Sequence, residues 1–117
     1  MNEDKRGYSG WSNYETWCVN LWLRNDYESQ AYWDNAAKYA MSSVNKSTIL
    51  SDSENARHSL AEHLKNSIDD SRQDKSSGLF VDLLNSALSL VNWAEIADGY
   101  LEECEGYEPM VVRLEVL

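Results

Sequence analysis

Residues 1–11 are polar and glycine-containing and read as a loose arm ahead of the first periodic segment. Ser12 or Asn13 then supplies a helix N-cap, with Glu15 available in the first turn. Tyr14, Trp17, Cys18, Leu21 and Trp22 follow at spacings of three and four, which places them on one face of a helix. Val19 and Leu23 widen that face, so this first helix is expected to be central and to end near Arg24-Asn25-Asp26. A second helix is expected from Glu28 or Ser29, with Trp33, Ala36, Ala37, Ala40, Met41 and Val44 as its apolar stripe. Residues 45–50 read as a connection.

Ser51 or Ser53 caps a third helix, in which Ala56, Leu60, Leu64 and Ile68 recur at strict four-residue spacing. Glu54, Arg57, Glu62, Lys65 and Asp69 flank this narrow stripe, which predicts a surface helix with one buried edge. Residues 73–78 form the clearest break. A strongly apolar fourth helix follows, carrying Leu79, Phe80, Leu83, Leu84, Ala87, Leu88 and Leu90. Asn92 caps a fifth, with Trp93, Ile96, Ala97, Tyr100 and Leu101 on its stripe, running to about Cys104 and stopped by Gly106. Pro109 begins a tail whose residues 111–116 suit a short strand or an extended arm packed on the helices. The expected fold is all-α: a flexible arm over 1–11, then one compact bundle of about five helices over 12–117.

Composition supports a packed domain. Apolar residues make up 43% of the 117, including five Trp and seven Tyr, which is too apolar for a disordered chain and enough for a core without staples. The two cysteines, Cys18 and Cys104, fall in predicted helices beside apolar groups and are expected to be reduced. No apolar run approaches the roughly 18 residues of a membrane span, and the polar N-terminus does not read as a secretory signal. The expected location is therefore the cytoplasm.

Charge changes the picture more. Twenty acidic residues face ten basic ones, for a net charge of −10. A small domain ordinarily carries a magnitude of about 2–8. Direct nucleic-acid binding is disfavoured, because phosphate neutralisation needs a basic footprint. Attraction to a basic protein surface is favoured, while solubility alone is the plainer reading. From Glu95 onward there are seven acids against one base, Arg113. Asp98 and Glu102 are four apart on the fifth helix, Glu103 adjoins them, and Glu105 and Glu108 extend the group past the helix end. Like charges at that spacing repel, and the helix dipole disfavours anions there, so the cluster invites a functional explanation.

Other chemistry is thin. The glycines are scattered and form no phosphate loop. His58 and Glu62 share a helix face, but two ligands fall short of a zinc site, so no metal or other cofactor is expected. Paired carboxylates such as Asp69-Asp70 and Glu102-Glu103 lie outside the apolar stripes, where solvated, ordinary acids are expected, so no catalytic residues are assigned. Trp11 and Tyr107 lie off the stripes and suit either interface anchoring or packing.

Gly10-Trp11-Ser12-Asn13-Tyr14-Glu15-Thr16-Trp17, continuing through Leu21-Trp22-Leu23 to Asn25-Asp26, resembles the opening of a family of short phage, plasmid and bacterial proteins. These carry a Trp-(Thr/Ser)-Asn-x-Glu-Thr-Trp motif. Residues 82–88 and 91–97 also look like that family's C-terminal half. The resemblance implies a mobile-element context and no particular activity. The motif's polar residues, Asn13 and Glu15 with Thr16, read either as a helix start or as a polar site.

The leading functional expectation is a non-enzymatic acidic protein that inhibits a host nucleic-acid-processing defence protein, such as a restriction or CRISPR effector, in the manner of a DNA mimic. Asp98, Glu102, Glu103, Glu105 and Glu108 would form its binding surface, with Trp11, Asn13, Glu15, Asp69, Asp70 and Tyr107 as further candidates. The alternative is a structural or regulatory adaptor, in one form a homodimer, with no nucleic-acid link. An enzyme is the third expectation, and a pocket with convergent polar groups would revive it.

Overall fold

The computed structural model describes residues 7–44, 51–72 and 78–110. Five helices run in chain order: α1 Tyr14–Asn25, α2 Tyr27–Ser42, α3 Asp52–Asp70, α4 Leu79–Ser89 and α5 Trp93–Leu101. They form an all-α bundle, with no strand among the described residues. The expected C-terminal strand, 111–116, lies outside them. No single described helix is long and apolar enough to cross a membrane.

Side chains set most of the helix starts. The Asn13 side chain accepts a hydrogen bond from the Thr16 amide and opens α1. Asp26 ends α1 in an extended conformation and at once caps α2, its carboxylate accepting from the Ser29 amide at 2.9 Å. One residue thus makes the corner, and α2 starts at Tyr27, earlier than the Glu28 or Ser29 expected. Ser51 and Glu54 form a reciprocal capping box on α3, and Asn92 caps α5 through the Glu95 amide.

The core is centred on α3 and α5, the most extensive helix pair. Ala56, Leu60 and Leu64 of α3 are fully buried against Ile96, Ala97 and Leu101 of α5, with Trp33, Ala37 and Ala40 closing the core from α2. The α3 stripe is as narrow as its sequence indicates, yet it forms the middle of the bundle, because small and medium side chains at four-residue spacing let two helices approach along their length. Lys65 and Glu62, on the flanks, remain exposed.

The expected packing of α1 is overturned. The Tyr14–Trp22 face of α1 is not the core face. Trp22 is 70% exposed, Tyr14 and Leu21 are exposed, and Trp17 and Cys18 are half-buried. The helix instead buries Thr16, Asn20 and Leu23. The polar pair can go inside because both members are satisfied there: Thr16 Oγ1 accepts from the Asn92 amide at 2.8 Å and Asn20 Oδ1 from Arg24 Nε at 3.2 Å. The outer aromatics pack on each other, with Tyr8, Tyr14 and Trp17 ring centroids 4.8–5.5 Å apart. The strongly apolar stripe of α4 also lies largely in solvent. Only Val81 is buried, and Leu88 is the α4 side chain that packs against the core.

The last residues of the expected arm are ordered by a tight turn. Tyr8 and Trp11 exchange both backbone hydrogen bonds, at 2.9 and 2.7 Å, with Ser9 and Gly10 at positive φ between them. That turn swings Trp11 back against the core. Cys18 and Cys104 are free thiols.

Candidate functional site

The acids singled out by the sequence gather around the C-terminal end of α5, but one of them does not reach the surface. Asp98 is 2% exposed. Its Oδ1 accepts from the Tyr107 hydroxyl at 2.6 Å and from the Met110 amide at 2.8 Å, and Arg57 Nη1 of α3 lies 3.8 Å away. Arg57 also donates to the Tyr107 hydroxyl at 2.7 Å. Burial, then the hydrogen bond to Asp98, push the Tyr107 hydroxyl well above the ordinary phenol range, against the opposing pull of Arg57. Asp98 is therefore removed from the binding patch: it is a buried, paired carboxylate that fastens the following loop. Tyr107, considered as an exposed anchor, is likewise buried.

The loop itself is shaped to turn back on the bundle. Cys104 and Tyr107 amides donate to the Leu101 and Cys104 carbonyls, and Gly106 takes a positive φ of 86°, the left-handed conformation that glycine adopts without strain. The Glu108 amide then donates to the buried Ser53 hydroxyl at the start of α3, at 2.8 Å. Glu102, Glu103, Glu105 and Glu108 are exposed around this fixed loop.

They spread rather than converge. Glu103 and Glu105 border a shallow cleft of about 380 Å³ with Lys38 and Met41 of α2. Glu102 faces the other way, into a cleft of about 300 Å³ lined also by Trp11, Arg24, Glu95 and Asp98. In that second cleft Glu95 accepts from the Ser12 amide and hydroxyl at 3.2 and 2.6 Å, and the Arg24 guanidinium lies 4.0 Å from the Tyr100 ring centroid. Glu95 and Arg24 thus hold the N-terminal turn and α1 onto α5.

The remaining candidates separate. Asn13 is structural on both sides of its amide: it caps α1 and donates to the Leu90 carbonyl at 2.7 Å, tying α1 to the α4–α5 junction. Trp11 packs on the core beside Gly99. Glu15 is half-buried in the first turn of α1. Asp69 and Asp70 are exposed at the far end of α3, away from the loop that Ser53 anchors, and Asp69 pairs with Arg72 at 3.2 Å. Sequence reasoning did not identify Arg57 and Ser53 as partners of the loop. They lie about half the chain away, and no local spacing announces pairs 50 and 55 residues apart.

No group of three or more His, Cys, Asp or Glu side chains able to hold a metal occurs among the described residues. His63 is engaged with aromatic neighbours: its Nε2 lies 3.0 Å from the Tyr32 hydroxyl and its ring stacks edge-on against Trp33. No family model, no curated protein and no solved structure matches the chain.

Proposed function

We propose that this is a non-enzymatic binding protein, and that Glu102, Glu103, Glu105 and Glu108 engage a partner protein on a basic surface of the kind that holds nucleic acid. The observation that carries the reading is the fixed loop after α5. Its acids project from a backbone fastened at both Asp98 and Ser53, so their positions are held without a partner. Preorganised charge loses less freedom on binding than charge on a free tail. A net charge of −10 adds long-range attraction to a cationic target and repulsion from nucleic acid itself. In the mobile-element context that the N-terminal motif resembles, the target would be a nucleic-acid-processing defence protein of the host, and the effect inhibition by competition with phosphates.

The test is capture from bacterial lysate on the immobilised chain, followed by binding measurements on the proteins recovered. A nucleic-acid-binding protein whose affinity falls steeply with salt is expected. Replacing Glu102, Glu103, Glu105 and Glu108 together by Gln should weaken it by at least about tenfold, mainly through slower association. A partner indifferent both to salt and to the four substitutions would contradict the proposal.

A further inference from the structure

Helix α4 buries only one edge of its apolar stripe. Leu79, Phe80, Leu83, Leu84 and Leu90 are 39–79% exposed, in two adjoining rows along the helix and its C-cap. Together they present on the order of 600 Å² of apolar surface, the upper end of what a monomer usually exposes. The Asn13–Leu90 hydrogen bond brings the first turn of α1 to the end of this face.

We propose that this face is the docking site for a second copy of the chain, α4 packing on α4 across a twofold axis. An apolar stripe of Leu and Phe is complementary to itself, as a twofold interface requires. Stable interfaces bury about 600–1,000 Å² on each side, and the α4 face reaches the lower end of that range. Charge selects the same face. A second copy is repelled by a net charge of −10 over most of the surface, but Asp82 is the sole charged residue of α4. The acids of the loop lie at the other end of α5, about 12 Å along its axis. Helix α4 also has no Lys or Arg with which to grip anionic lipid headgroups, which disfavours a membrane surface as the occupant.

This inference is independent of the acidic surface, and salt separates the two. Sedimentation equilibrium of the full chain should show a monomer–dimer equilibrium that tightens several-fold from low to high salt, as repulsion between like-charged copies is screened. Phe80→Glu and Leu83→Glu should each weaken self-association at least tenfold while leaving the helical circular dichroism, and the melting at concentrations where the parent is monomeric, unchanged. Tyr39→Glu, at an exposed aromatic of α2, should dimerise like the parent. A chain monomeric at hundreds of micromolar would overturn the proposal. So would a dimer that survives L83E, or one abolished by Y39E. Dimerisation that appears only after truncation at Met110 would overturn it too, by assigning the face to residues 111–117.

Discussion

At the scale of single residues, the decisive one is Asp98. Its sequence neighbourhood, rich in acids and four residues before Glu102, marks it as part of a charged surface, yet it is buried and bonded to Tyr107, Met110 and Arg57. Helical periodicity alone does place position 98 beside Ala97 and Leu101. What the sequence does not display is that a hydroxyl nine residues on and a guanidinium forty-one residues back arrive to satisfy it. Asp98→Ala should remove about 3–5 kcal/mol of stability, since it leaves Arg57 without its counter-charge and two donors without their acceptor. Denaturant unfolding measures this, and a loss below about 1 kcal/mol would mean that the network does not hold the loop.

Tyr107 makes the same network sensitive to alkali. Its folded-state pKa is raised above the unfolded value of about 10, so the stability it contributes is fully present below pH 10 and is lost as pH rises beyond it. The buried Tyr100 hydroxyl, raised chiefly by burial, acts in the same direction. Stability should therefore decline above about pH 10, and Tyr107→Phe should make that decline shallower. Urea midpoints across this range check it, and an equal slope in the variant would place the alkaline sensitivity elsewhere.

Among the elements, existence and most starts were readable and burial was not. The end of α5 was expected about three residues too late, at Cys104 instead of Leu101. Caps at Asn13, Ser51 and Asn92 and the stop at Asp26 are local chemistry, and the sequence displays them, whereas Gly106 shapes the loop after α5 and does not end the helix. Which face turns inward depends on partners. α1 has an aromatic face and a Thr16–Asn20–Leu23 face, and the second is chosen because the α4–α5 junction offers Thr16 an amide donor. α3 looked peripheral because its flanks are charged, whereas depth of burial follows the Ala56–Leu60–Leu64 line alone. The contrast is measurable: Leu64→Ala should cost about 2–5 kcal/mol, while Trp22→Ala, a larger truncation, should stay within about 0.5 kcal/mol. Thermal melting of the two variants decides between this arrangement and one with the aromatic face of α1 inside.

Over the whole molecule, two surfaces of opposite character sit on one core. The loop after α5 carries fixed carboxylates, and α4 carries an apolar face with a single acid. Salt should act on them in opposite directions, weakening a cationic partner and strengthening self-association. The acidic end was legible as a run of charge, although only four of its five selected residues are on the surface. The apolar face was legible as hydrophobic but not as exposed, because hydropathy does not distinguish a stripe that meets its own chain from one that does not. The claim at the centre of this account, that the acids occupy a nucleic-acid-binding surface, is tested most directly by competition. A partner captured on the immobilised chain is challenged with duplex DNA, in parallel with the chain in which the four glutamates are replaced by Gln. The account predicts that DNA displaces the partner, and that the substituted chain captures little of it at the same salt concentration. Retention of the partner in the presence of saturating DNA, with equal capture by the substituted chain, would contradict it.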